Sequence, residues 1–199
     1  MAFDVNTFKS DISKRGLIQN NKYEVIIGGL RVPNLNNVEI LKELKTRCIS
    51  ASLPGVAIKT GDINRYGVGV TEKMPFTGAY TDISLSFLCD RDGELYNFWY
   101  TWINTIFSVN GVASGTSAGL GGRLSTPSGR APYTAEYKDN YSAEVDINLY
   151  TNEGDKSLSY KLYKAFPVAV NDSQLSWSDT NNLLKLNVTM TFVEWKLTR

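Results

Sequence analysis

Thr81-Asp82-Ile83-Ser84-Leu85-Ser86-Phe87-Leu88-Cys89 decides how the rest of the chain is read. Ile83, Leu85, Phe87 and Cys89 fall on one phase, and Asp82, Ser84 and Ser86 on the other. Successive side chains of a strand point to opposite faces, so this two-residue period describes a strand with one face on a core and one in water. Cys89, on the apolar phase, is expected to pack there as a small hydrophobe rather than to react. Asp90-Arg91-Asp92-Gly93 then breaks the period. Leu95, Phe98, Trp99, Trp102, Ile103 and Ile106 follow at i, i+3, i+4, i+7, i+8 and i+11. That spacing predicts one amphipathic helix over residues 94–107 with a wide buried stripe. Asp90 or Asp92 can accept its first-turn amide hydrogens, so capping explains the acidic pair without calcium. A calcium loop would need more oxygen ligands at alternate positions and a distal bidentate Glu.

Other segments repeat the strand period. Tyr23, Val25 and Ile27 oppose Lys22 and Glu24 before Gly28-Gly29 interrupts. Ile49, Ala51 and Leu53 oppose Cys48, Ser50 and Ser52 before the turn Pro54-Gly55, which places Cys48 on the polar phase. Strands are also predicted over 141–150, with Val145, Ile147 and Leu149 inward, and over 157–166, joined by a hairpin turn at 151–155. The tail, residues 183–195, alternates Leu184, Leu186, Val188, Met190 and Phe192 against Lys185, Asn187, Thr189 and Thr191, and reads as one long strand. Phe3, Phe8 and Ile12, with Gly16 as a stop signal, predict a short docking helix in the N-terminal segment 1–20. Strands joined by short turns, with one inserted helix, predict antiparallel sheets in a two-sheet sandwich or partial barrel.

With 199 residues, 42% of them hydrophobic, the chain suffices for a single domain over 1–199 that buries roughly 70% of its unfolded surface. Residues 111–130, rich in Gly and Ser, have little to bury and are expected to form a mobile loop within it. They lack the Gly-Lys-[Ser/Thr] of a P-loop and the glycine spacing of a dinucleotide site. No apolar run reaches signal-peptide or membrane-span length, so a cytoplasmic origin and no membrane partner are expected. Cys48 and Cys89 are then expected to be reduced thiols, too few and too far apart for a zinc site.

The sequence has no histidine, 21 Lys or Arg and 20 Asp or Glu. That removes the usual general base near neutral pH and the commonest transition-metal ligand, and leaves no basic surplus for gripping phosphates. Carboxylates alone could still hydrolyse glycosides, with Glu136 and Asp139, Glu144 and Asp146, or Asp172 and Asp179 as candidate pairs. Each reads better as solvated charge in a loop or on the outer face of a strand. The aromatic and basic run 133–141 has nearly cancelling charges and reads as a strand entry. No catalytic, metal or cofactor residue is assigned, and the chain is expected not to be an enzyme.

The oddity is the ribbon over residues 56–71, rich in β-branched residues and glycine and without a clean apolar face. A long polar hairpin with open backbone edges invites pairing with another chain, so natural proteins blunt such edges or use them. Self-assembly through the turn and ribbon at 53–71 is the expectation, ahead of a monomeric β-sandwich binding module.

At this point the chain resembles the tail tube proteins of contractile-tailed bacteriophages and their baseplate tube-initiator relatives. The resemblance is carried by Asn21-Lys22-Tyr23-Glu24-Val25-Ile26, Leu53-Pro54-Gly55, Asp82-Ile83-Ser84-Leu85 through Phe98-Trp99 to Trp102, Ala165-Phe166-Pro167-Val168, Leu175-Ser176-Trp177-Ser178-Asp179 and the closing strand to Trp195. It implies hexameric rings stacked into the tail tube of a virion, around a channel that conducts double-stranded DNA without binding it specifically. It also implies tail sheath, baseplate and tape-measure proteins as partners. Leu53, Pro54, Gly55, Lys59, Asp62, Asn64, Arg65, Gly67 and Gly69 would then lie at the subunit interface or the lumen. A tube-initiator or a contractile secretion-tube subunit is the related alternative.

Overall fold

A computed structural model describes residues 5–32, 35, 37–64, 67, 69–106, 135–171, 173, 175–178 and 183–199. The expected mobile loop at 111–130, Arg65, Asp172, Asp179 and the docking side chains Phe3 and Phe8 lie outside them. Thirteen elements follow in order: α1 (Val5–Arg15), β1 (Tyr23–Gly28), α2 (Val38–Arg47), β2 (Cys48–Ala51), β3 (Val56–Ile63), β4 (Glu72–Tyr80), β5 (Ile83–Leu88), α3 (Glu94–Ile106), α4 (Lys138–Tyr141), β6 (Ala143–Tyr150), β7 (Lys156–Val170), β8 (Lys185–Thr191) and β9 (Glu194–Thr198).

The fold is mainly β, every pairing is antiparallel, and the described strands close no barrel. The period read at 81–89 is β5, whose Ile83, Leu85 and Phe87 are fully buried. Two layers share β7: its first half pairs with β6 and β9, and its second half with β8. One layer thus runs β1-β6-β7-β9 and the other β7-β8-β5-β2.

The crossover happens at a corner. Ala165 is the last β7 partner of β6 and Phe166 the first of β8, while Lys164 between Tyr163 and Ala165 adopts φ +50°. The expected single tail strand breaks at the same level. Phe192 turns into the core, Val193 N–H donates to the Tyr163 carbonyl at 3.1 Å, and the chain resumes as β9 beside the first half of β7. The break corrects the single-strand reading: a strand whose partner changes sheet must bend with it, and a strand that changes sheets at a sandwich corner does so by a bend or bulge. Left-handed backbone costs an L-residue about 1–2 kcal/mol. Both Lys164→Asn and Lys164→Val delete the ion pair with Asp139 (2.8 Å), but Asn tolerates this φ and a β-branched residue does not. The valine variant should be less stable than the asparagine variant by about 1–2 kcal/mol in urea denaturation.

The core between the layers is capped by α3, whose Leu95, Phe98, Trp99 and Trp102 are buried as the spacing required. Trp99 and Trp102 stack at 5.5 Å and 11°, Phe98 meets both edge-on, and Phe87 of β5 lies 5.3 Å from Trp99. Asp90 is the cap: its carboxylate accepts from Glu94 N–H at 3.0 Å and Leu95 N–H at 3.3 Å. Partial burial opposes ionisation of Asp90, yet these two amides hold its carboxyl below the usual carboxylate range. A depressed carboxylate stabilises the fold above its unfolded value and loses that contribution as pH falls through its folded value. Asp90→Ala should therefore cost about 1 kcal/mol at pH 7. The gap to the parent protein should close in urea titrations taken well below pH 4, about the ordinary Asp value.

Three further readings are corrected. A second amphipathic helix, α2, stands where one helix was expected. Asn37 caps it by accepting from Glu39 N–H at 3.1 Å, Leu44 is buried, and Lys45 joins Glu24 of β1 at 2.5 Å. Cys48 is on the buried side and Ile49 on the exposed side of β2, because a bulge between Cys48 and Ser50 shifts the phase. Burial pushes the Cys48 thiol up to about 11, and burial followed by the neighbouring Asp90 raises that of Cys89, so neither free thiol is a nucleophile at neutral pH. The segment read as a strand entry holds the single turn α4, whose Tyr141 carbonyl receives the Trp102 indole N–H at 2.7 Å.

Candidate assembly surface

The ladder of β2 and β5 continues into a projecting arm. After Ala51 pairs with Leu85, Ser52 N–H donates to the Ser84 carbonyl at 2.9 Å and Ser84 N–H to Ser52 Oγ at 2.6 Å. Gly55 N–H then donates to Thr81 Oγ1 at 3.0 Å, and Thr81 N–H returns to the Gly55 carbonyl at 3.1 Å. From Val56 opposite Tyr80 the ladder is β3 against β4, out to Ile63 opposite Glu72. A side chain at Gly55 would put its Cβ 2.7 Å from Thr81 Oγ1, so the residue at this base must be glycine for the bond to stand. The hairpin is thus anchored at its root, and among the described residues β3 and β4 pair with each other alone.

The arm is longer than the expected 56–71 ribbon, since its second strand runs to Tyr80. A bulge opposite Lys59 and Thr60 places the additional residue Phe76 on β4, next to Pro75, which has no N–H to give a ladder. The bulge changes which face is apolar. Toward the base, Val56, Ile58 and Tyr80 share one face, and Tyr80 rests 5.7 Å from Phe192. Toward the tip, the Phe76 ring lies over Gly61, with Met74 and Ile63 on that same opposite face. Val56, Ile58 and Phe76 are 55%, 65% and 69% exposed. Exposed apolar side chains concentrated on a thin ribbon mark a surface that meets another protein.

The residues singled out from the sequence fall along this arm. Leu53 is exposed and Pro54 buried at the root, beside Gly55. Lys59 stands opposite Thr77, and Asp62 opposite Lys73, which makes the remaining surface polar and nearly balanced in charge. Asn64 follows β3, and Gly67 and Gly69 at the tip hold φ +71° and +122°, values glycine adopts without strain. Met74, Phe76 and Tyr80 were missed. The signal was present, since Met74 and Phe76 alternate with Lys73, Pro75 and Thr77.

A family model described as phage tail tube protein matches residues 9–198. The chain belongs to that family. Among solved structures, the tail tube chain is similar to a chain of the sheath-tube complex of an extracellular contractile injection system, PVC, in its extended state. Identity is 18% over 99% of each chain, with a TM-score of 0.57. It is also similar to a chain of the tube-terminating cap of the anti-feeding prophage, 17% identical over 92% of each chain, with a TM-score of 0.58. At such identities the likeness is one of fold. No curated protein sequence matches the tail tube chain at a significant level.

Proposed function

We propose that this tail tube protein is the repeating subunit of a phage tail tube, forming hexameric rings that stack around a channel through which DNA leaves the virion. The observation that carries the reading is the β3–β4 arm, with its open edges and an apolar patch on each face. An arm apolar on two sides fits a slot between two neighbours, one in its own ring and one in the next. Leu53, Pro54, Gly55, Lys59, Asp62, Asn64, Gly67 and Gly69 lie along it and belong to that contact or to the channel wall, and Arg65 is assigned with them from its place in the sequence. The formal charge of +1 suits a conduit, because a wall rich in unpaired Lys or Arg would hold DNA by counterion release. Sheath, baseplate and tape-measure proteins are the other partners, and assembly takes place in the host cytoplasm.

Similarity in fold to contractile injection systems favours a second reading, a contractile secretion-tube subunit. Electron micrographs of the purified chain should show six-fold rings or hollow tubes under both readings, and a strictly monomeric protein at high concentration would overturn both. The cargo retained in tubes isolated with their particle separates the two.

A further inference from the structure

An open cavity of about 520 Å³ lies at the corner where β7 passes from one layer to the other. The chain leaving β1 supplies Arg31, α4 supplies Lys138 and Asp139, and Tyr163, Lys164 and Glu194 complete the charged wall. The charges are unevenly paired. Lys164 holds Asp139 at 2.8 Å, and Lys161, beside the cavity, holds Glu144 at 2.7 Å with Asp146 near enough to favour its charge. Asp139, held by Lys164 and more distantly by Arg31 and Lys138, stays below the usual carboxylate range. Among the described residues, Arg31, Lys138 and Lys196 have no carboxylate in ion-pair contact. Aromatic rings hold the lysines in position: Lys138 Nζ stands 5.0 Å over Phe166, and Lys161 and Lys196 stand 5.5 and 5.2 Å over Tyr163. Lys161 and Lys196 are also directly opposite each other across β7 and β9. Like charges so placed repel, and an anion bound beside them removes that repulsion.

We propose that this corner cavity binds an acidic segment of a partner protein, with carboxylates on Arg31, Lys138 and Lys196 and an apolar side chain against Tyr163 and the half-exposed Val193. The site is on the body of the subunit and not on the arm, and it stands whether or not the chain forms tubes. Clefts lined by unpaired charge concentrate ligands of the opposite sign. The mixture of groups favours a peptide over nucleic acid. Duplex DNA carries a charge every 1.7 Å or so along its axis, and Asp139, Glu144 and Glu194 on the cavity wall would repel so continuous an anion. A peptide spaces its carboxylates and can set an apolar side chain between them, which is what cations around a Tyr163 and Val193 floor accept.

The test uses the purified full chain and fluorescein-labelled hexapeptides, one of alternating Glu and Leu and one of alternating Lys and Leu, read by fluorescence anisotropy at low salt. The acidic peptide should bind saturably and the basic one should not. Arg31→Gln, Lys138→Gln and Lys196→Gln should each weaken binding about two- to fivefold, the range of exposed ion pairs. The triple variant should lose about tenfold or more, because separate contacts add in free energy. Arg31 and Lys196 are exposed and Lys138 is half-buried, so the circular dichroism spectrum should stay that of the parent. Lys73→Gln removes a cation from the arm instead and should bind the peptide as the parent does. An acidic peptide that does not bind, or that binds the triple variant as well as the parent, overturns the proposal. A short DNA duplex that displaces the peptide and is itself lost in the triple variant overturns it in favour of nucleic acid. A triple variant that loses the rings or tubes of the parent makes the occupant a second copy and overturns it too.

Discussion

Phe76→Asp is expected to abolish tube formation while leaving the subunit folded. The ring of Phe76 is 69% exposed in the single chain and lies over Gly61 on a ribbon whose Tyr80 meets Phe192 of the body. Removing it costs the isolated subunit little, because exposed substitutions away from caps and cores stay within about 0.5 kcal/mol. In the proposed tube the same side chain is buried, and burying a phenylalanine is worth about 1.5–3 kcal/mol. Losing that contact alone weakens each arm about 10- to 100-fold, and a carboxylate left in its place must also be desolvated. In the proposed ring every subunit carries the defect, so the losses multiply around it. Ile58→Asp, on the opposite face nearer the root, tests the other patch separately. Sedimentation and electron microscopy read the assembly, and circular dichroism with thermal melting reads the fold. A Phe76→Asp protein that still forms tubes would mean that the tip of the arm is not an interface.

Why the arm was only half visible in the sequence has a physical answer. Strand faces are legible when one residue in two is apolar and no residue is added, as in β5 and β6. In the arm, the apolar positions move from one face to the other at the Phe76 bulge, so the alternation of Met74, Phe76 and Tyr80 along β4 does not describe a single face. The same cause misplaced Cys48 and Ile49, where one irregular step exchanges the two faces of β2. The corner at Lys164 was invisible for a different reason. Its φ of +50° is imposed by the two sheets that meet there, and nothing in the local sequence asks for it. Helix α2 carried signals that could have been read, with Asn37 as cap, Ile40, Leu41 and Leu44 at helical spacing, and Lys45 and Arg47 in the last turn.

The aromatic stripe of α3 was fully legible, and it carries the largest expected effect on stability. Trp102 is fully buried, stacked on Trp99, and donates its indole N–H to the Tyr141 carbonyl at 2.7 Å. Trp102→Ala should destabilise the fold by about 3–5 kcal/mol, the usual range for emptying a large core site. Because domains of this size are stable by only about 5–15 kcal/mol, that loss removes a large share of the margin. A finer comparison separates packing from hydrogen bonding. Trp99 is equally buried, but its indole N–H has no partner among the described residues. Trp99→Phe and Trp102→Phe remove the same atoms from neighbouring sites, yet only the second strands a carbonyl that had a donor. Trp102→Phe should therefore cost about 1–3 kcal/mol more than Trp99→Phe, measured as the difference in urea midpoints at equal slope. Equal losses would place the worth of Trp102 in its packing alone, and the tie it makes to α4 would then contribute nothing measurable to holding α3 over the core.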